Sequence, residues 1–148
     1  GNQATIASIG DSRAYLIKAV LEHMSERQSG KIVIISSDAG RVPTPGESIV
    51  GGAAAATVMM GKVLAREFTR WQIRVNTICI TVTRDTPSFE RALAGGAGHV
   101  FKKAEAKMPF GINKPEDVAE AALFFASSDS DQITGQTLSV NGGLAFPG

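Results

Sequence analysis

The amino-acid sequence predicts an α/β fold built on a parallel sheet, on three observations. Two short runs, residues 31–36 (KIVIIS) and 73–80 (IRVNTICI), are apolar almost without interruption and are bounded by turn residues. That is the pattern of strands buried on both faces. A long segment of helical character separates them. Strand and helix then alternate along the chain, which requires right-handed crossovers between parallel neighbours.

The elements follow in order. Residues 1–10, GNQATIASIG, show no clear period. A helix is predicted from about Asp11 to Arg27, with apolar positions at Ala14, Ile17, Val20, Leu21 and Met24. Asp11 or Ser12 can cap it and Ser29-Gly30 ends it. After the first strand, the loop DAGRVPTPGE carries two prolines and two glycines. A second helix is predicted over about Ser48 to Trp71, and its first half, GGAAAAT, is almost all small. Small residues let another backbone come close, in the core or at a contact with another subunit. The region Pro87–Gly98 holds a short helix at most, and residues 99–113, HVFKKAEAKMPFGIN, read as a connector without assigned structure.

Lys114-Pro115-Glu116-Asp117 opens a third helix, with proline in the first turn and acids that complement the helix dipole. Its apolar face is Val118, Ala121, Ala122, Phe124 and Phe125. QTLSV, residues 136–140, is the third strand, followed by NGG and a short tail. The prediction is therefore three strands and three main helices. Three parallel strands without further neighbours leave one apolar sheet edge unpaired, so the isolated chain is expected to associate or to behave poorly.

Composition narrows the function classes. With 148 residues the chain is expected to form one domain, 1–148, with a real core. Hydrophobic residues at 43% and charged residues at 20% fit a soluble globular protein rather than a disordered one. The formal charge is +1, with 15 basic and 14 acidic residues. They are spread along the chain, with no basic block or basic–aromatic interleaving that would suggest nucleic acid or an anionic membrane. No run of eighteen apolar residues and no opening signal peptide is seen, so no membrane span and a cytoplasmic location are expected. The chain opens with Gly rather than Met, which points to a processed or truncated start.

Candidate chemistry is sparse. Cys79 is the only cysteine, set in an apolar run, and reads as packing in a reducing compartment. His23 and His99 have no carboxylate or cysteine at metal spacing, so no metal site is predicted. Ser37, His23 and Asp38 could be drawn as a hydrolase triad, but no GxSxG elbow supports it. Lys102, Lys103 and Lys107 form a cluster that reads as a solvated face or, alternatively, as a contact for CoA phosphates. Met59 and Met60 read as filler in the core or at an interface. No strand–GxGxxG–helix unit occurs, so the dinucleotide pyrophosphate site is not expected in these residues.

Three blocks carry a family resemblance: GKIVIISSDAGRVPTPG, then KVLAREFTRWQIRVNTI, then KPEDVAEAALFFASSDSDQITGQTLSVNGG. In order and spacing they resemble the C-terminal portion of the short-chain dehydrogenase/reductase family, over nearly the whole chain. The resemblance implies an incomplete Rossmann-like three-layer sandwich whose parallel sheet lacks its N-terminal strands, and with them the dinucleotide-binding half. The ending ITGQTLSVNGGLAFPG resembles members that oxidise hydroxyacyl-CoA thioesters of alicyclic or aromatic acids.

In that family a serine at the end of the central strand binds the substrate oxygen, and a tyrosine thirteen residues later is the acid/base. A lysine four residues further on lowers the tyrosine's pKa and holds the cofactor ribose. A phenol with an ordinary pKa of about 10 acts as a base near neutrality only beside a cation. The i, i+4 spacing sets the two on one helix face. Ser37 matches the serine; Val50 stands at the tyrosine position and Ala54 at the lysine position. The later Leu64-Ala65-Arg66-Glu67 fixes the register. Tyr15 lies far upstream, and Lys62 is two turns past the lysine position. The family's relay asparagine falls near Ile9, its Pro-Gly cofactor loop at Ile80-Thr81, and its arginine before the third helix at Ile112-Asn113. Asn76, Gly142 and Gly143 match structural positions of the family.

The resemblance thus implies a scaffold without its catalytic set: no catalytic residue beyond an isolated Ser37, and no cofactor held by this chain. A non-catalytic subunit is the reading it favours. Family members pair through the helices that correspond to residues 11–27 and 48–71, so the expected partner is an active NAD(P)-dependent short-chain dehydrogenase subunit or a second copy. Inactive partners of this kind occur in the family, including in a heteromeric dehydrogenase of anaerobic toluene degradation. A truncated oxidoreductase fragment and an acyl-CoA-binding remnant without turnover are the alternatives.

Overall fold

The first structural fact to explain is a pair of eight-residue strands that vanish from solvent. In the computed structural model, which describes residues 4–7 and 12–147, strands β2 (Gly30–Ser37) and β3 (Ile73–Ile80) pair in parallel from Gly30↔Ile73 to Ser37↔Ile80. Val33, Ile34, Val75 and Ile78 are each fully buried, as apolar runs without alternation require. Each such side chain contributes about 2 kcal/mol by leaving water.

Two more strands flank this pair. β1 (Ala4–Ala7) joins the outer edge of β2, and β4 (Thr137–Val140) joins β3. The sheet is wholly parallel in the order β1-β2-β3-β4. The sequence predicted three strands; the fourth is the short β1, inside the segment that showed no period.

Alternation along β2 and β3 divides the core in two. Ile32, Ile34, Ile73 and Val75 face helices α1 (Ser12–Glu26) and α2 (Ser48–Phe68), where Ile17, Met24, Ala65 and Phe68 meet them. Val33 and Ile78 face α5 (Pro115–Ala126), against Ala122 and Phe125. This is the predicted α/β three-layer arrangement. Phe124, assigned to the apolar face of that last helix, instead points outward and is 40% exposed. Asp11 and Ile9 lie outside the described residues, as do the side chains of Ser12 and Ala14.

Helix α2 ends in a 3-10 turn, Thr69–Trp71, and Gln72 takes a left-handed φ of 56° that turns the chain into β3. By length and composition Ser48–Trp71 also passes as a membrane-crossing helix, with mean hydropathy 1.5. Lys62, Arg66 and Glu67 interrupt it, so it holds no unbroken run of eighteen apolar residues, the pattern on which the expectation of no span rested. Ala54, Val58, Ala65 and Phe68 pack one side of the helix on the protein, but only 28% of its most apolar window is buried.

Two polar side chains tie the far end of the chain to the sheet. Asn76 Nδ2 donates to the Ile133 carbonyl at 2.9 Å, and its Oδ1 accepts from Gln136 N at 3.0 Å. Arg74 donates to the carbonyls of Phe125 and Ser127, acceptors left over at the end of α5, and to that of Ile133 further along the chain. At the other end of α5 the expected start is present: Pro115 lies in the first turn, and Asp117 Oδ2 accepts from Lys114 N at 2.7 Å.

Between β3 and α5 lie α3 (Pro87–Ala94), as expected, and α4 (Gly98–Glu105), in the stretch that had no assigned structure. Thr86 caps α3 by accepting from Phe89 N at 3.2 Å. Phe89 and Phe101 stack face to face at 4.8 Å and hold the two helices together.

Candidate functional site

The carboxyl ends of parallel strands are where ligands sit in open α/β sheets. Here that edge is formed by the ends of β2, β3 and β4 and by the start of α2. Ser37, the last residue of β2, is half-buried, and its Oγ accepts from Ala39 N at 3.2 Å. That bond caps a 3-10 turn, Asp38–Gly40. Ser37 therefore does the local work common for a serine at a strand end.

Val50 is the third residue of α2 and is 52% exposed. Ala54, one turn further on, is buried; the Ser36 hydroxyl donates to its carbonyl at 3.3 Å. A Cβ on Gly40 would come within 2.6 Å of the Ala54 carbonyl carbon, so helix and turn are in backbone contact. Neither Val50 nor Ala54 can move a proton or bind a ribose hydroxyl through its side chain. Tyr15 is 75% exposed on α1, and Lys62 is exposed on α2. In front of α2 a wide, shallow groove is lined by Ala39, the Pro43–Ser48 turn, Gly51 and Gly52.

The most connected polar group at this edge was not singled out as such from sequence. Asp38 is buried, and its Oδ1 accepts from the Ser139 hydroxyl at 2.5 Å and from Arg41 Nη2 at 3.4 Å. Its Oδ2 accepts from Asn141 Nδ2 at 2.8 Å. Arg41 also donates to Ser139 Oγ and to the Thr137 carbonyl. The network binds the turn after β2 to β4 across the end of β3. An acid directly after a strand-end serine was its only local signal; the partners lie about a hundred residues away.

The drawn triad does not assemble. His23 is exposed on α1, the Ser37 hydroxyl serves its own turn, and the Asp38 carboxylate is held by Ser139, Asn141 and Arg41. His99 bonds the Gly96 carbonyl through Nδ1 at 3.2 Å. No group of three metal-ligating side chains occurs among the described residues. Cys79 is fully buried, and its burial pushes the thiol up to about 11, which leaves it inert near neutrality.

Asn113, just before α5, is buried, and its Nδ2 donates to the Val140 carbonyl at 2.6 Å. Its own carbonyl accepts from Arg84 N at 2.9 Å. Gly142 turns at φ 58°, and a Cβ there would lie 2.3 Å from the Gly111 carbonyl oxygen. These residues hold the loops behind the site in place.

Comparison with known proteins identifies the scaffold. A protein-family model described as Enoyl-(Acyl carrier protein) reductase matches residues 3–145. A 3-oxoacyl-[acyl-carrier-protein] reductase FabG of Chlamydia muridarum is 38% identical over 128 residues, covering 86% of this chain and 50% of that protein. The protein named inactive 2-(S)-hydroxypropyl-CoM dehydrogenase 2 of Xanthobacter autotrophicus is 35% identical over 129 residues, covering 86% and 56%. Among solved structures, a 3-oxoacyl-[acyl-carrier protein] reductase of Brucella melitensis with bound NAD superposes with a TM-score of 0.77 at 30% identity. That match covers 88% of this chain and 47% of that one. The chain spans about half the length of the curated relatives it matches. With its sheet order, its layers and a family match over nearly every residue, the chain belongs to the short-chain dehydrogenase/reductase family.

Proposed function

We propose that this chain is a non-catalytic short-chain dehydrogenase subunit that assembles with an active NAD(P)-dependent partner. One observation carries the reading. The acid/base and ribose-binding positions are Val50 and Ala54, one exposed and one buried, and neither has an ionisable side chain. The residues present do not fit a nicotinamide cofactor at its ribose end, so no hydride step is assigned to them. The similarity to a protein named inactive 2-(S)-hydroxypropyl-CoM dehydrogenase 2 supports the idea that this scaffold persists without turnover.

The outer faces of α1 and α2 support assembly. Tyr15, Ile49, Met59 and Val63 are 75%, 87%, 60% and 46% exposed, beside exposed Gly52, Ala53, Ala55 and Ala56. Large apolar side chains left in water on these two helices are the kind of surface that an interface covers. The partner would act on a hydroxyacyl or oxoacyl thioester: the ending of this chain suggests the class, and the FabG relatives are named for such a substrate. In the cell, the proposed place is the cytoplasm.

Purification of the chain from its native host, with light scattering and mass spectrometry, tests this. The expected result is a complex with a longer short-chain dehydrogenase that retains Tyr-x-x-x-Lys. A chain that never co-purifies with a dehydrogenase, or that oxidises or reduces nicotinamide alone, overturns it.

A second reading is supported by the chain's coverage of about half of each relative. In it, these residues are the C-terminal part of an oxidoreductase whose other part carries the cofactor site. Reading the genomic locus separates the two, since an in-frame upstream strand–Gly-rich turn–helix unit belongs only to the second.

A further inference from the structure

Of the four asparagines in the chain, Asn141 alone precedes a glycine. Glycine has no Cβ, so it leaves its own backbone nitrogen open to attack the side chain of the asparagine before it. Asn141-Gly142 is therefore the step of this chain most open to deamidation, and it follows β4 directly, at the carboxyl edge of the sheet.

The reaction consumes only water. The Gly142 nitrogen gives its proton to solvent and bonds to Asn141 Cγ. The Cγ–Nδ2 bond breaks, and ammonia leaves with a proton returned from solvent. One water molecule then opens the five-membered imide at either of its two carbonyls. Opening at Cγ gives aspartate. Opening at the main-chain carbonyl gives isoaspartate, with the chain rerouted through the side chain. Nothing is oxidised or reduced.

The fold holds the reacting groups back. Asn141 is buried, and both its amide hydrogens are engaged: Nδ2 donates to Asp38 Oδ2 and to the Ala145 carbonyl, each at 2.8 Å. Its Oδ1 accepts from Gly143 N at 3.0 Å. Attack makes Cγ tetrahedral and swings both atoms off these partners. The main chain is held as well. The Gly142 carbonyl accepts from Phe110 N at 3.2 Å, and Gly142 packs directly against Gly111. Ring closure therefore waits for a local opening that breaks several of these bonds together.

The product does not fit the same place. A carboxylate at position 141 presents an acceptor where Asp38 Oδ2 now receives a donor. Among the described residues Arg41 is the one cation paired with Asp38, and two carboxylates would have to share it. Isoaspartate also lengthens the main chain beside Gly142, where a Cβ would already lie 2.3 Å from the Gly111 carbonyl oxygen.

We propose that Asn141 is a deamidation site guarded by the Asp38 network, and that its conversion to aspartate or isoaspartate irreversibly unfastens the end of β4 from the turn after β2. The inference is independent of whether the chain transfers hydride.

The test ages the full chain in mildly alkaline buffer and reads aspartate and isoaspartate at each asparagine by peptide mapping with mass spectrometry. Conversion at Asn141 is expected to be at least about tenfold slower in the native chain than in denaturant. In denaturant it should outrun conversion at Asn76 and Asn113, which Thr77 and Lys114 follow. Asp38→Ala, and the milder Ser139→Ala, should speed native conversion at Asn141 several-fold. Asp131→Asn removes ion pairs at the opposite end of the strands and should leave it unchanged. Circular dichroism checks that each variant stays folded during ageing. Asn141→Asp, the product made directly, should melt below Asn141→Ser, which loses the same amide without adding charge. Equal rates in the native and denatured chain, no acceleration in either network variant, an equal acceleration in Asp131→Asn, or Asn141→Asp melting no lower than Asn141→Ser overturns the proposal.

Discussion

Asp38 and Asn141 are 103 residues apart in the chain, and the Asn141 amide donates to the Asp38 carboxylate at 2.8 Å. With Ser139 and Arg41 they fasten the turn after β2 to the end of β4. Asp38 and Arg41 side chains are 8% and 14% exposed. Removal of one member of a buried charge pair leaves the other uncompensated, at a cost of about 3–5 kcal/mol. Asp38→Ala is expected to destabilise by about 3 kcal/mol in urea unfolding. Asp38→Ala with Arg41→Ala should cost less than the two single losses combined. A single-variant loss below about 1 kcal/mol contradicts a structural role for the network.

Gly142 and Gly46 both have positive φ, at 58° and 87°, but their surroundings differ. A methyl at 142 meets the Gly111 carbonyl oxygen at 2.3 Å, whereas nothing lies within 4 Å of one at 46. Gly46→Ala should cost about 1 kcal/mol, the left-handed penalty alone. Gly142→Ala adds a backbone clash and should cost at least about 1 kcal/mol more. Thermal unfolding of the two variants side by side measures the difference; equal losses would mean that the loop behind the site yields freely.

The Cys79 thiol is raised from 9.0 to about 11, chiefly by burial; the Asp38 charge adds to this and Arg41 opposes it. In the unfolded chain the thiol ionises near its ordinary value, while in the fold it stays protonated longer. Stability from this group is thus intact below about pH 9 and lost as pH rises toward about 11. The melting temperature should fall across that window, and Cys79→Ala should flatten the fall. Alkylation of native protein at pH 8 is expected to be slow and to become fast in denaturant; rapid native labelling would show an accessible thiolate.

Asp131 receives Lys31 Nζ at 3.0 Å and Arg74 Nη2 at 3.4 Å. The Lys31 ammonium beside it is the main cause that holds its carboxyl below the ordinary carboxylate range, with Arg74 adding to it. A depressed acid contributes stability above its unfolded pKa, near 3.8, and loses it as pH falls through the lower folded value. Asp131→Asn should lower the melting temperature at neutral pH and shrink the wild-type decline below about pH 4. Parallel acid titrations of both proteins would contradict the pairing.

The core was legible in the sequence because local pattern and burial agree there. KIVIIS and IRVNTICI carry no polar alternation, and both sheet faces are covered by helices. β1 escaped notice because its four residues are stabilised by pairing with β2, which no local period records. Helix α4 escaped because it buries nothing, so no apolar stripe marks it. Ser37, Val50 and Ala54 were assigned through the family resemblance, whose motif spacing runs from a strand end into one helix. The Asp38 network could not be placed in that way, because its partners meet only when β4 joins β3.

Val50 and Ala54 are one turn apart on α2, so Val50→Tyr/Ala54→Lys would place a phenol and an ammonium on one helix face. Val50 is exposed and accepts a ring without clash; Ala54 is buried, and a lysine there must reach outward along the helix. The pair alone should not confer hydride transfer on the 148-residue chain. The sequence has no strand–GxGxxG–helix unit to hold the pyrophosphate, and the family resemblance implies Ile80-Thr81 where a Pro-Gly loop would meet the nicotinamide. Nicotinamide absorbance with an oxoacyl thioester is expected to stay flat for the wild-type chain and the double variant, with both folded by circular dichroism. Turnover by the wild-type chain would refute the non-catalytic reading outright. Turnover by the double variant alone would show that the cofactor site is complete without that unit, and that two side chains separate this scaffold from an enzyme.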